Sequence, residues 1–154
     1  MTPMTAPLHA DIAALLPRLR RYARVLCDNR DDADDLLQAA LGRALGGAVA
    51  WQAGGRLDLW MLRIVTSSWQ AQARGREPAP GNVEAAPCGP ALPRALARLD
   101  GEERLAIGLV LVEGLSYAVA AQVLEMAPAQ LAATLLRARA ALQAQLAEPA
   151  RRAP

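Results

Sequence analysis

The chain is expected to be all-α, two small helical domains joined by a proline- and glycine-rich linker. Three observations carry that expectation. Apolar residues recur at i, i+3 and i+4 in several separate stretches, the spacing of a single helix face, and no strand alternation outlasts it. Helix-start residues stand where those stretches begin: Asp31 and Asp32 at the positive end of a helix dipole, the caps Asp100 and Ser116, and then Pro128 at the start of the last stretch. Between the halves, Glu77 to Pro93 holds five prolines, two glycines and no apolar period, a composition that cannot pack a core.

The first block runs from Leu8 to Arg76. Asp11 to Cys27 reads as a helix, bent or restarted at Pro17, with Leu15, Leu19, Tyr22, Ala23 and Leu26 inward. Arg18, Arg20, Arg21 and Arg24 read as its solvated face. Asp28-Asn29-Arg30 is a turn, and Asp31 and Asp32 favour the positive end of the next helix. The stripe of that helix is Ala33, Leu36, Leu37, Ala40, Leu41, Ala44 and Leu45, weakened at its end by Gly46-Gly47. A loop through Trp51 and Gly54-Gly55 leads to a third helix, Leu57 to Ala73, carrying Leu59, Trp60, Leu62, Ile64, Val65 and Trp69.

Beyond the linker, a short helix covers Pro93 to Leu99 and a longer one, capped by Asp100, covers Glu102 to Val112. Ser116 then caps a helix with a stripe of Val119, Ala120, Val123 and Leu124. Glu125-Met126-Ala127 turns the chain, and Pro128 opens a helix buried along Leu131, Leu135, Ala138 and Leu142. This is the outline of a helix-turn-helix, whose second helix normally enters the DNA major groove.

Composition limits the function classes. The 154 residues are 53% apolar, but alanine supplies much of that and phenylalanine is absent, so leucine and valine must carry the packing. All 17 basic residues are arginine, and a net charge of +2 is too small to declare a nucleic-acid partner. Cys27 and Cys88 lack CxxC or histidine-spaced companions, which argues against a disulfide scaffold or a zinc site. No apolar run reaches membrane-spanning length and no signal-peptide pattern opens the chain, so a reduced, cytoplasmic protein without membrane insertion is expected. His9 is the only histidine, and Glu102 and Glu103 complement a helix dipole. With no nucleophile–base set, phosphate loop or ligand cluster, no catalytic residue, metal or cofactor is expected.

Particular runs carry a family resemblance. Tyr22-Ala23-Arg24-Val25-Leu26, Asp32-Ala33-Asp34-Asp35-Leu36-Leu37-Gln38 and Leu57-Asp58-Leu59-Trp60-Met61-Leu62-Arg63-Ile64 resemble region 2 of a bacterial RNA polymerase sigma factor. Leu96-Ala97-Arg98-Leu99-Asp100, Glu103-Arg104, Glu113 to Tyr117 and Arg137-Ala138-Arg139-Ala140-Ala141-Leu142 resemble region 4. Two such regions without a third match the small extracytoplasmic-function class. The run Leu16-x-x-Leu19-Arg20-Arg21-Tyr22-Ala23 and the variant Ala33-Asp34-Asp35-Leu36 are most similar to its general-stress-response subgroup. The resemblance implies domains at 8–76 and 93–147 with a linker at 77–92.

It also implies roles. Asp34, Asp35, Leu37, Gln38 and Leu41 would meet core RNA polymerase. Trp51, Arg56, Arg63, Ser67 and Trp69 would open and read the minus-ten element of promoter DNA, which needs aromatic stacking and arginine against phosphate. On spacing alone Trp60 and Trp69 suit a core, and Trp51, in a glycine-flanked loop, is the better exposed aromatic. Gln130, Thr134, Arg137 and Arg139 would serve the minus-thirty-five element, with Arg137 alternatively bonded inside its domain. An anti-sigma factor would hold the chain until a stress signal releases it.

The chain also departs from the family. Where the second helix usually reads Gly-Thr-Val-Lys-Ser-Arg-Leu, this one reads Ala129-Gln130-Leu131-Ala132-Ala133-Thr134-Leu135, without either basic residue. Residues 91–148 hold five arginines against six acids, net −1, where phosphate neutralisation ordinarily dominates affinity. Ala39 replaces an expected acid, and Ser67 an expected asparagine. A rival expectation follows: a sigma-like module that occupies an anti-sigma factor or polymerase without reading a promoter. A plain helix-turn-helix repressor would fit the C-terminal half and leave the first block unexplained.

Overall fold

The computed structural model describes residues 5–47, 55–75 and 91–151, and every regular element among them is helical. Helix α1 (Thr5–Leu26) begins earlier than the spacing suggested, because Leu8 and Ile12 extend its buried stripe toward the N-terminus. It does not restart at Pro17. That residue and Ala13, whose carbonyl loses its donor, both lie on the exposed face, where water can satisfy the orphan oxygen.

The Asn29 side chain caps α2 (Arg30–Gly46) by accepting the Asp32 N–H at 2.8 Å. Ala33, Leu36, Leu37, Ala40 and Ala44 are buried, whereas Leu45, grouped with them by spacing, is 47% exposed. Helix α3 (Leu57–Gly75) buries Met61, Leu62, Val65, Thr66 and Ser68.

In the C-terminal half, α4 (Ala91–Ala97) precedes α5 (Gly101–Ile107). Asp100 and Glu103 form a reciprocal capping box, with bonds of 2.8 and 3.3 Å. The α-helix expected through Val112 changes at Gly108 to a π-helix, Gly108–Val112, closed by the Glu113 N–H on the Gly108 carbonyl at 2.9 Å. Ser116 caps α6 (Tyr117–Leu124) by accepting the Val119 N–H. Glu125, at φ +55°, turns the chain into α7 (Pro128–Arg151). Helices α6 and α7 meet at 98°, the geometry of a helix-turn-helix.

Helices α1, α2 and α3 pack on one another, and α7 packs on α4, α5 and α6. The two groups then meet: α1 lies against α5 and the π-helix, and α3 against α6. A single hydrophobic cluster runs from Leu8 to Ala138 through both. The linker expected at 77–92 lies outside the described residues, apart from Ala91 and Leu92, which belong to α4. Among the described residues no single helix is long and apolar enough to cross a membrane.

Candidate functional site

Three surfaces carry the expected site residues. On α2, burial of Ala33, Leu36, Leu37, Ala40 and Ala44 turns the opposite face outward. Asp31, Asp34, Asp35 and Gln38 form an exposed ridge at i, i+3, i+4 and i+7. Leu41 is half-buried at its flank. Leu37 does not belong to this surface: it is 5% exposed and packs in the core, because it follows Ala33 by four residues on the buried stripe.

On α3, Arg56 and Arg63 are exposed, Arg56 donating to Asp58 at 2.8 Å. Ser67 is exposed and donates to the Ile64 carbonyl at 3.1 Å. Trp69 is a correction. Its indole N–H donates to the Leu26 carbonyl at 3.0 Å, and its ring lies 2.9 Å from where a Cβ on Gly101 would stand. It is half-buried in the seam between the two halves, with its indole N–H already taken and its ring packed against the core. Trp51 lies outside the described residues.

On α7, Gln130, Arg137 and Arg139 are exposed. Thr134 is the second correction. It is fully buried, and its hydroxyl donates to the Gln130 carbonyl one turn back at 3.0 Å, while Arg137 donates to it at 3.3 Å. No base edge reaches such a group. The outward face of α7 is therefore Ala129, Gln130, Ala133, Leu136, Arg137 and Ala140.

The seam holds polar groups that sequence reading missed. Arg18, taken as part of a solvated face, bridges the halves: it bonds Asp58 at 3.1 Å and, more closely, the Glu113 carboxylate. Its position one turn before Tyr22, beside Leu15 and Leu19, was the available signal. Burial disfavours the Arg18 charge, but its bonds to Glu113 and Asp58 outweigh that and raise its pKa. Burial likewise pushes the Asp58 carboxyl up, and bonds from Arg56, the Leu59 N–H and Arg18 more than reverse it. Tyr22 is fully buried and shares a 2.7 Å hydrogen bond with Thr66, and burial drives its hydroxyl far above the usual tyrosine range. Arg104, 8% exposed, donates to the Val25 carbonyl and to Asp28 at 3.1 and 2.9 Å.

Beside this last pair opens a cleft of about 330 Å³, lined by Arg24, Cys27, Arg30, Leu96 and Arg104 among others. Among the described residues no group of three or more histidine, cysteine or carboxylate side chains is placed to hold a metal ion.

Comparison with known proteins bears on both halves. The family model for the sigma2 domain of PhyR matches residues 12–66, and that for Sigma-70, region 4 matches residues 90–142. The ECF RNA polymerase sigma factor EcfG of Rhodopseudomonas palustris is 34% identical over 158 residues, covering 94% of this chain and 87% of the relative. The ECF sigma factor SigM of Mycobacterium tuberculosis is 32% identical, covering 81% and 69%. Among solved structures, the sigma factor RpoE of Bartonella quintana, in complex with the anti-sigma factor NepR, superposes with a TM-score of 0.76. It is 25% identical, with 91% of this chain and 96% of that one covered. CnrH, in complex with the cytosolic domain of CnrY, gives 0.70 at 26% identity, covering 90% and 86%.

Proposed function

We propose, from the premise that this chain belongs to the extracytoplasmic-function (ECF) family of RNA polymerase sigma factors, that α2 docks on core polymerase while α3 and α7 engage the promoter. The chain binds core RNA polymerase and directs promoter-specific initiation, and an anti-sigma factor controls it, as the anti-sigma factor NepR binds RpoE. It works in the cytoplasm, beside its polymerase, and its role is regulatory, with no reaction of its own.

The observation that carries the site assignment is the ridge of Asp31, Asp34, Asp35 and Gln38, exposed along α2 above a fully packed stripe. Three carboxylates on a rigid helix face suit a basic surface of a large partner, setting register and encounter rate. Arg56, Arg63 and Ser67 flank the single-stranded minus-ten element, with Trp51 as its stacking aromatic. Gln130, Arg137 and Arg139 remain for the minus-thirty-five duplex.

Transcription with purified core polymerase on promoters of the source genome tests this. Specific transcripts are expected only when the protein is present. Trp51→Ala is expected to lower promoter opening and spare polymerase binding; unchanged transcription from that variant sinks the stacking role. In the duplex, Gln130→Ala is expected to relax discrimination at one base pair by about 1–3 kcal/mol. Thr134→Val, altering a buried hydroxyl, is expected to leave duplex affinity unchanged and to cost about 1 kcal/mol of stability. Equal effects of the two on DNA binding would overturn the burial argument.

A second reading draws on the face of α7. Ala129, Ala133, Leu136 and Ala140 make it largely apolar, with Leu136 68% exposed, and a protein would suit that face better than phosphate does. Core binding without any transcript would favour this reading, that of a module sequestering its partner.

A further inference from the structure

The charges of the whole chain nearly balance, 17 basic residues against 15 acidic, but those around the Arg104 cleft do not. The cleft opens where α1 ends, where the Asp28-Asn29-Arg30 turn enters α2, and beside Pro93 and Leu96 of α4. Three guanidinium groups line it, those of Arg24, Arg30 and Arg104, against one carboxylate, Asp28. Its volume of about 330 Å³ falls within the range of small-molecule sites, about 300–1,000 Å³.

The one carboxylate is already answered. Arg104, with 9% of its side chain exposed, donates to Asp28 at 2.9 Å and to the Val25 carbonyl at 3.1 Å. These bonds fix the guanidinium in the cleft wall and use only part of its N–H set. Arg24 and Arg30 are exposed, and among the described residues neither forms an ion pair. The cleft also borders the N-terminus of α2, where the helix dipole favours an anion. Asp31 and Asp32 stand in that first turn, but neither lines the cleft, and Asp32 accepts from the Asn29 amide at 3.0 Å.

The remaining wall is apolar, formed by Val25, Pro93 and Leu96. A ligand suited to both parts joins a compact anion to a planar, weakly polar body. A phosphate monoester carries about −1.5 to −2 charges at neutral pH, and arginine meets it through paired N–H groups. Duplex DNA presents its phosphates on a convex surface, which a concave wall of this size does not meet.

We propose that this cleft binds a nucleoside monophosphate, with its phosphate on Arg24, Arg30 and Arg104 and its base against Val25, Pro93 and Leu96. The bound nucleotide joins α1, α2 and α4, and so couples the stability of the folded chain to nucleotide concentration by mass action. None of these residues is assigned above to polymerase or promoter, so the site stands apart from that reading.

Calorimetric titration and thermal unfolding of the full chain, with AMP, GMP, CMP and UMP at matched ionic strength, test this. At least one should bind with a Kd below about 1 mM. At about ten times its Kd it should raise Tm by roughly 3–6 °C. The matching nucleoside and inorganic phosphate should each bind at least about tenfold more weakly, since each satisfies only one part of the wall. Arg24→Gln combined with Arg30→Gln should weaken nucleotide binding at least about tenfold, while the ligand-free Tm changes little because both side chains are exposed. Arg74→Gln is the control: Arg74, like Arg24, stands in the last turn of its helix, but it lines no part of the cleft and should bind as the natural chain does.

Binding by none of the four nucleotides overturns the site. Equal losses in Arg74→Gln and in the paired variant also overturn it, reducing the effect to general charge attraction. Inorganic phosphate binding as tightly as the nucleotide overturns the part given to the apolar wall, and the nucleotide with it.

Discussion

Gly108→Val is expected to destabilise the protein by about 3 kcal/mol, an overpacking penalty at the upper end of the ordinary range. For a chain of this length that is a fall in Tm of roughly 6–12 °C. Backbone conformation is not the reason, for Gly108 has φ −60° and ψ −46°, which any residue adopts. The reason is space. A Cβ there would stand 2.8 Å from Cε2 and 2.9 Å from Cδ2 of Tyr22, and real Cβ atoms essentially never come so close to a ring carbon. Tyr22 cannot retreat, being fully buried with its hydroxyl tied to Thr66 at 2.7 Å. Gly42 provides the control. A Cβ on it meets nothing within 4 Å, so Gly42→Ala in an exposed helix interior should stabilise by up to about 1 kcal/mol. Thermal unfolding of both variants checks the pair, and a Gly108→Val protein that melts with the natural one refutes the close approach.

Reversing the acidic ridge should have the largest effect on function. Asp34→Arg combined with Asp35→Arg is expected to weaken core-polymerase binding by at least about 100-fold, since like charges set across an interface cost several kcal/mol. Both side chains are exposed and lie beyond the first turn of α2, so the helix dipole gains little from them and Tm should hold. Binding by the natural protein should weaken as salt rises, and the residual binding of the variant should respond far less. Affinity within about threefold of the natural chain would remove the ridge from the polymerase surface.

Most of the secondary structure was legible because its signals are local. Asp100 and Ser116 each cap the helix beside them, and Pro128 opens α7, through bonds or constraints that span only a few residues; the cap of α2, Asn29, stands where the sequence reads only as a turn. The buried stripe of α2 follows from its spacing. Leu45 escapes that stripe because 3.6 residues per turn carry the last position round toward solvent, at the end of the helix where little packs over it. The π-helix after Ile107 was not legible. Its extra residue per turn depends on what Gly108 packs against, namely a tyrosine 86 positions away in sequence.

The candidate site divides along the same line. Asp34, Asp35, Gln38, Arg63, Gln130 and Arg139 are exposed, as residues opposite a buried stripe should be. Leu37, Trp69 and Thr134 are withdrawn from partner surfaces for reasons of different range. Leu37 and Thr134 sit on the inward faces of their own helices, Leu37 on the stripe its spacing already marks and Thr134 three residues after the buried Leu131. Trp69 is claimed by Leu26 and Gly101, contacts that no spacing within α3 encodes.

By itself the sequence determined an all-α chain, the order of its helices, a helix-turn-helix near its end, and membership of a family recognised from short runs in a definite order. These depend on periodicity and on neighbours within a few residues, which a linear chain displays directly. Only the tertiary structure decided that the two halves share one hydrophobic cluster, and that Arg18 of a seemingly solvated face joins Asp58 to a buried Glu113. Arg18 and Glu113 are 95 residues apart. Whether two charges so distant meet depends on how apolar faces of both halves pack, and no local pattern records that.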